Sequence, residues 1–263
     1  MKNGMKENQR NVAILVSVLS LTLLNGCGGG GNSSPAASNT IPQGLYLGSS
    51  TYSPFSLADV LILENGSYYA LYGQQFNAGL IVAGFFEGTG SGSNGVFSST
   101  NPAEHISLYA YSNGSFGGSY VPETSVDIDV QGFWGTGTFS TVKPANTTYN
   151  YASAANINDV AGSWSLSTID GAGANMIIST NGTFTATATS NGCSYSGTIS
   201  PRPSGKNVFD ITLTYGAAPC ALPNLSISGI AVSYMLSDGI RREFIMSGTD
   251  SSRANGYAAS GWR

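Results

Sequence analysis

The chain has 263 residues, and its composition excludes two classes of protein. Charged residues make up 9% of it and glycine occurs 35 times, whereas a helical bundle needs charged outer faces and few glycines. The hydrophobic fraction of 41% and the aromatic fraction of 11% are too high for a disordered chain. The composition therefore favours an all-β protein whose surface is covered by Ser, Thr, Asn and Gly.

The N-terminal segment has the pattern of an export signal. Lys2, Lys6 and Arg10 precede an uncharged apolar stretch over residues 12–24. As a helix this stretch rises only about 20 Å, whereas the hydrocarbon core of a bilayer is roughly 30 Å thick. We therefore predict a cleaved signal peptide over residues 1–26 rather than a membrane span.

The segment LNGC over residues 24–27 resembles the lipobox of bacterial lipoproteins, in which the Cys is diacylated and becomes the N-terminus after cleavage. The resemblance implies a lipid anchor on Cys27, through which the protein would attach to the membrane. Residues 27–41 would then form a flexible Gly/Ser tether that begins at the lipidated Cys. In such families an Asp directly after the Cys favours the inner membrane. Because Gly28 stands there, we expect the outer membrane, facing either the cell surface or the periplasm. Cleavage near Gly26 without lipidation, which gives a soluble periplasmic protein, is the alternative.

The charge of the mature chain excludes some partners. Without residues 1–26 the chain keeps 7 basic and 13 acidic residues, which argues against a nucleic acid or an anionic lipid as partner. The excess lies in residues 42–155, whose sole basic residue is Lys143. It indicates either an acidic face that meets a basic partner or the ordinary solubility of a charge-poor domain, and we favour the second interpretation.

If Cys27 is lipidated, two cysteines remain in the chain. In an oxidising compartment Cys193 and Cys220 are predicted to form one disulfide. A metal or redox site is disfavoured, because neither Cys has a second Cys or a His close to it in the sequence.

Two stretches of the chain are alike, which predicts an internal duplication. Residues 61–70 (LILENGSYYA) parallel residues 177–186 (IISTNGTFTA), and residues 44–46 (GLY) parallel residues 162–164 (GSW). Each copy predicts a strand, a loop, a second strand and a hairpin turned by Asn-Gly. We expect a type I′ turn there, with both residues at positive φ.

The spacing of the strands predicts two tandem antiparallel up-and-down β-barrel domains, over residues 42–152 and 153–263. The second domain contains eight predicted strands, a number whose interior side chains just fill a barrel or hold one small ligand. Its apolar phase slips at Gly229, which predicts a β-bulge. Residues 88–99 of the first domain are predicted to be a long Gly/Ser/Asn loop. The predicted strands of the second domain are 162–168, 175–180, 183–189, 193–200, 208–215, 225–236, 241–247 and 256–263.

Gly162 and Trp164 on the first strand of this meander, with Arg263 on the last, resemble the signature of the calycins, the lipocalin and avidin-like barrels. In that group the Trp closes one end of the barrel and a basic residue of the final strand packs over it. The lipobox, the tether and the tandem barrels together also resemble bacterial surface lipoproteins of the factor H-binding and transferrin-binding type.

No constellation in the sequence predicts catalysis, a cofactor or a metal site. His105 is the only histidine, and the neighbouring alternating strand predicts a surface position for it at a strand end. Residues 127–132 (DIDVQG) begin like a calcium loop, but position twelve is Thr138 where a bidentate Glu is needed. We therefore expect Asp127 and Asp129 to be two solvated residues on one face of a strand. No GxSxG nucleophile elbow occurs.

We therefore predict a non-enzymatic binding or surface-interaction module that recognises a protein, a glycan or a small apolar ligand through its first domain. The alternatives are a structural envelope lipoprotein without a soluble ligand, and a hydrolase whose site is not visible in the sequence. The first domain is rich in tyrosines, which are common anchors at binding surfaces, although strand alternation predicts most of them inside. These residues are Tyr46, Tyr52, Tyr68, Tyr69, Tyr72, Tyr109, Tyr111 and Tyr120.

Cys27→Ala is expected to abolish incorporation of labelled palmitate, because it removes the acylated thiol. Cys193→Ala, which leaves the lipobox intact, is the control and should keep its label. Undiminished labelling of Cys27→Ala would refute the anchor.

Overall fold

The computed structural model describes residues 41–263 apart from 78, 108, 112 and 113, and gives only the backbone of residues 109–111. The predicted signal peptide, Cys27 and the tether up to residue 40 lie outside the described residues. In the part that is described, regular structure is almost entirely β-strand, with one 3-10 turn at Ile157–Asp159. No helix there has the length and apolarity that a membrane span requires.

The first sheet closes into an eight-stranded antiparallel barrel, here called barrel 1. Its ring runs β1-β2-β3-β4-β5-β8-β9-β10 and returns to β1, and the hairpin β6–β7 is inserted after β5 and pairs with β4. The strands are β1 (Gly44–Ser50), β2 (Leu57–Ile62), β3 (Ser67–Phe76), β4 (Gly79–Ser93), β5 (Val96–Ser99), β6 (Ala103–Ile106), β7 (Tyr109–Tyr111), β8 (Ser115–Val121), β9 (Ser125–Gly132) and β10 (Gly135–Val142).

The second sheet is a closed meander of eight strands in chain order, here called barrel 2. The prediction of an all-β chain with two up-and-down antiparallel barrels is therefore confirmed, with the inserted hairpin as an addition in barrel 1. The strands are β11 (Gly162–Thr168), β12 (Gly173–Ile178), β13 (Thr183–Ala188), β14 (Ser194–Pro201), β15 (Phe209–Tyr215), β16 (Ser226–Met235), β17 (Arg242–Thr249) and β18 (Gly256–Trp262).

The hairpin shared by the two predicted repeats has the same geometry in both barrels. In barrel 1 the Gly66 N–H donates to Leu63 O at 3.0 Å, and Gly66 itself has φ +84°. Gly182 also has φ +84°, and its N–H donates to Ser179 O at 2.9 Å. A Cβ on either glycine would lie 2.4 Å from a carbonyl oxygen of a neighbouring strand, so each position requires glycine.

The predicted type I′ geometry of these two turns is wrong. Neither Asn65 nor Asn181 has positive φ. Each side chain instead accepts a hydrogen bond at 3.0 Å from the N–H two residues on, at Ser67 and Thr183. Since Leu63 N–H also donates to Ser67 O at 2.8 Å, the loop has three residues and a Gly bulge, which is a different hairpin class from the two-residue I′ turn.

The predicted long loop over residues 88–99 is also wrong, because the chain there forms the end of β4, a tight turn and β5. The turn is Asn94-Gly95, and both residues have positive φ, at 52° and 77°. The glycines upstream provide space for aromatic rings. A Cβ on Gly90 would lie 2.4 Å from the ring of Phe97, which is fully buried.

The two barrels pack against each other through an apolar interface, and the described residues belong to one compact unit. The linker between β10 and β11 contributes two buried tyrosines to this interface. The buried residues of the interface are Leu45, Leu61, Leu63, Leu71, Leu80, Val82, Phe85, Tyr149, Tyr151, Ile169, Val208, Ile230, Val232, Tyr234, Leu236, Ile245 and Ala258.

This interface explains why the predicted bulge at Gly229 does not exist. The pairing of β16 with β15 and with β17 continues through Gly229 without a shift in register. Ile227 and Ala231 face the core of barrel 2, whereas Ile230 and Val232 face barrel 1. The apparent slip in apolar phase arises because the outer face of β16 passes from solvent to the neighbouring barrel.

Cys193 and Cys220 form the predicted disulfide in barrel 2, with a Cα–Cα distance of 4.6 Å. It joins the start of β14 to the loop that precedes β16 and closes a loop with a sequence separation of 27 residues.

Replacing both cysteines, in Cys193→Ser/Cys220→Ser, should lower the free energy of unfolding by about 3.5 kcal/mol, because the unfolded chain regains the entropy of the open loop. Guanidinium denaturation followed by far-UV circular dichroism measures the change. Reductant serves as the control, since it should destabilise the parent by a similar amount and leave the double variant unaffected. Equal stability of the parent and the double variant would contradict the prediction.

Candidate functional site

Barrel 1 presents large aromatic side chains to solvent at one end. Phe133 and Trp134 form the whole turn between β9 and β10, and they are 54% and 48% exposed. The Trp134 ring packs edge to face against two other rings. Its centroid lies 5.1 Å from that of Phe133 and 5.7 Å from that of half-buried Phe55. We call Phe55, Phe133 and Trp134 the aromatic rim. Turn positions are usually small or polar, so two adjacent aromatic residues there indicate a binding surface.

A buried carboxylate fixes the backbone of this turn. Glu104 is fully buried on β6, and its Oε2 accepts the N–H of Phe133 at 2.5 Å. Its Oε1 accepts the hydroxyl protons of Tyr52 at 2.9 Å and Tyr72 at 2.5 Å. The Tyr52 oxygen in turn accepts the N–H of Trp134 at 2.9 Å. Both turn amides are therefore paired inside the barrel, and the aromatic rim is held in one arrangement before any partner binds.

Tyr72 of this network stays protonated. Burial, together with the charge of Glu104 and its hydrogen bond, raises the pKa of Tyr72 far above its usual value of 10. The neutral hydroxyl of Tyr72 donates a hydrogen bond to Glu104 Oε1, so Tyr72 remains a donor in this network through the physiological pH range.

A polar surface lies next to the aromatic rim on the outer wall of β8, β9 and β10. Gln131 pairs in register with Ser115 and Thr136, and Asp129 pairs with Thr138, whose hydroxyl donates to Asp129 Oδ1 at 2.9 Å. We call these five residues the polar ledge. They line a shallow depression with a volume of 350 Å³. Asp129 and Asp127 are both exposed on this face of β9, as strand alternation predicted.

The aromatic rim lies at the end of barrel 1 opposite to the start of β1. β1 starts beside residues 41–43 and runs towards Tyr52, which bonds the turn of the aromatic rim. Lys143 follows β10 at the other end of the barrel.

The interiors of both barrels are filled by their own side chains. Of the tyrosines that crowd the first domain, five are buried, Tyr46, Tyr52, Tyr68, Tyr72 and Tyr120. In barrel 2, three tyrosines line a cavity of about 40 Å³ next to the disulfide, which is room for a few water molecules at most. Among the described residues, the surface open to a ligand is therefore the outside of the barrels. The cavity tyrosines are Tyr195, Tyr215 and Tyr257.

The three residues that the calycin resemblance singled out meet at one end of barrel 2. Arg263 Cζ lies 4.1 Å from the centroid of the Trp164 ring, within cation–π range. The ring is buried, and its Nε1–H donates to Val160 O at 2.6 Å. Gly162 has φ +117°, and a Cβ there would lie 2.4 Å from Arg263 Nη1. These contacts close the end of the barrel rather than open it to a ligand.

The predicted surface position of His105 is wrong. The residue is fully buried between the barrels, with its ring stacked on Phe85 at 4.7 Å and in contact with Gly256. Its Nε2 lies 3.4 Å from Glu87 Oε1. The alternation of β6 places His105 on the outer face correctly, but that face is covered by barrel 2.

The acidic residues of barrel 1 are in part neutralised within the chain. Arg202 of barrel 2 bonds Glu64 Oε1 at 2.9 Å, and Arg253 bonds Glu87 Oε1 at 2.6 Å. Although burial alone would raise it, the hydrogen bonds to Glu64, led by that of Arg202, lower the pKa of Glu64 to about 2. The basic groups that these carboxylates meet thus belong to barrel 2.

The chain matches no protein-family model, and the curated proteins contain no significant match to it. Among solved structures it is similar to a protein of unknown function from the DUF3598 family of Nostoc punctiforme PCC 73102. The identity is 14% over 84% of this chain and 94% of that one, with a TM-score of 0.24. A putative outer membrane protein from Bacteroides fragilis NCTC 9343 shares 12% identity over 84% and 96% of the two chains, with a TM-score of 0.24. At these values neither structure bears on the function of this chain.

Sequence reasoning missed the aromatic rim, although half of its signal is in the sequence. The run Gly132-Phe133-Trp134-Gly135 places two large aromatic residues between glycines, where a hairpin turn usually has Asn, Asp or Gly. The other half of the signal is Glu104, which lies 29 residues before Phe133 in the chain and reaches the turn only through the fold.

Tyr52→Phe should free the turn, because it removes one donor to Glu104 and leaves the N–H of Trp134 without its acceptor. We expect a loss of about 1–3 kcal/mol in the free energy of unfolding and faster hydrogen exchange at the Trp134 amide. Tyr46→Phe, in a buried tyrosine of the same barrel away from the turn, is the matched control. Unchanged exchange at Trp134 in Tyr52→Phe would show that the network does not hold the turn.

Proposed function

We propose that this protein is a lipid-anchored module of the outer membrane that binds its partner without catalysis, through the aromatic rim and the polar ledge of barrel 1. The observation that carries the proposal is the fixed exposure of Phe133 and Trp134. A buried carboxylate holds their backbone while both side chains face water. The proposed location rests on the lipobox at Cys27 and on Gly28 after it.

The chemistry of the surface favours an uncharged oligosaccharide as the partner. The negative face of an aromatic ring attracts the polarised C–H groups of a sugar ring. Beside the aromatic rim, the polar ledge offers hydroxyl, amide and carboxylate groups that can pair with sugar hydroxyls. An anionic membrane surface is disfavoured, because Lys143 is the only basic residue between residues 42 and 155 and it lies at the opposite end of the barrel.

A glycan array followed by calorimetric titration of the best-bound oligosaccharide tests this proposal. Phe133→Ala and Trp134→Ala should each weaken binding at least about tenfold, because each removes a contact face at the centre of the surface. Phe76→Ala is the matched control, since Phe76 is also 54% exposed but packs against Trp262 of barrel 2, with 6.0 Å between the ring centroids, and is not part of the aromatic rim.

Equal affinity of the parent and the two rim variants would refute the binding surface. A blank array would refute the glycan as partner. Together with a blank screen for protein partners, it would favour the alternative of a structural envelope lipoprotein.

A further inference from the structure

Three buried polar side chains, none of which belongs to the aromatic rim, meet where the two barrels pack together. Asp59 on β2 belongs to barrel 1, and Tyr234 on β16 and Glu243 on β17 belong to barrel 2. Their exposed fractions are 5%, 4% and 1%. They border a cleft of 340 Å³ between the barrels, whose other walls are largely apolar. Two ionised carboxylates buried side by side without a cation would be strongly destabilising, so the protonation state of this pair has to be determined.

The two close contacts of the Tyr234 hydroxyl oxygen with carboxylate oxygens require one more proton than Tyr234 itself supplies. The hydroxyl oxygen of Tyr234 lies 2.6 Å from Asp59 Oδ2 and 3.0 Å from Glu243 Oε2, and it carries a single hydrogen. Glu243 Oε1 already accepts the N–H of Leu80 at 2.8 Å. If Tyr234 donates to the nearer Asp59, Glu243 Oε2 must hold a proton and donate it to Tyr234. The chain from Glu243 through Tyr234 to Asp59 is then complete.

No cation takes the place of that proton. From β4 the cluster faces the backbone N–H of Leu80, and β18 contributes neutral Ser260, which bonds the backbone of Leu80. Gln75 of β3, Thr148 of the linker and Ser237 after β16 complete the polar lining of the cleft. The described residues that line it include no Lys, Arg or His. The ion pairs of Arg202 and Arg253 bridge the barrels to other carboxylates.

The pKa values of the two carboxyl groups agree with a proton held in the cluster. Burial raises the pKa of Asp59 to about 6. Burial and then the charge of Asp59 raise the pKa of Glu243 to about 8. Both shifts have the same sign, so the folded protein binds this proton more tightly than the unfolded chain does.

We propose that Asp59, Tyr234 and Glu243 form a proton-dependent contact between the barrels, which is stable while Glu243 carries the shared proton and opens when that proton is lost in alkaline solution. The cleft beside it is the route by which water reaches the two carboxylates when both are ionised. The protein would therefore have a conformation at acidic and neutral pH that differs from its alkaline one at this interface.

The direction of the pH dependence follows from linkage. Groups whose pKa is raised by folding contribute stability that is complete below the pKa of the unfolded chain and is lost as the pH rises through the folded pKa. For Glu243 this range is from about 4.5 to about 8. With a difference of one bound proton, the unfolding constant rises up to about tenfold for each pH unit in that range.

Glu243→Gln provides the test, because the amide can donate to Tyr234 and accept from Leu80 in the same shape without titrating. Urea unfolding of the parent and the variant is compared at intervals from pH 5 to pH 9. The parent should lose stability steeply from pH 6 to pH 8, and the variant should lose much less and be the more stable of the two at pH 9. Glu123→Gln, in an exposed glutamate of barrel 1, is the control and should keep the slope of the parent.

Hydrogen exchange of the parent provides a second measurement that does not depend on the folding of a variant. The protection factor of the Leu80 amide, corrected for the intrinsic pH dependence of exchange, should fall at least about tenfold between pH 7 and pH 9. The amide of Ile128, in the core of barrel 1, should lose less protection than that of Leu80, because it is exposed only by global unfolding. An unchanged pH slope in Glu243→Gln, or constant protection at Leu80, would overturn the proposal.

Discussion

The contact between the outer walls of the two barrels is the constraint on which the rest of the structure depends. A β-barrel on its own alternates a filled interior with a solvated exterior. Here β4 of barrel 1 and β16 of barrel 2 are buried on both faces over part of their length, because each covers the other barrel. Residues that would be ordinary surface positions in a single barrel thus become core positions, among them His105, Asp59 and Glu243.

The interface also explains the uneven charge of the sequence. Four of the seven acidic residues of the first domain do not form a free acidic face. Glu64 and Glu87 meet arginines of barrel 2, Asp59 meets Tyr234, and Glu104 lies inside barrel 1. The scarcity of basic residues in one domain is therefore matched by arginines on the wall of the other, and electrostatic complementarity orients the two barrels.

Local sequence patterns predicted the strands and the closed meander well, because alternation and turn residues are properties of short segments. They did not show whether the outer face of a strand meets solvent or the other barrel. The alternation of β16 is regular, but its outer face changes surroundings at Gly229, which imitates a bulge in the sequence. The Asn-Gly pairs show the same limit. Asn94-Gly95 forms a two-residue turn and Asn65-Gly66 a three-residue loop, because the pairing of the flanking strands decides the loop length.

The inserted hairpin β6–β7 connects the turn of the aromatic rim with the contact between the two barrels. Adjacent residues of β6 point to opposite faces, so Glu104 enters barrel 1 and bonds the turn of the aromatic rim while His105 packs against barrel 2. β6 pairs with β4, and β4 also carries Leu80, whose N–H bonds Glu243. Both barrels are filled with their own side chains, and the packed aromatic core with Glu104 holds the backbone of the turn so that Phe133 and Trp134 stay exposed.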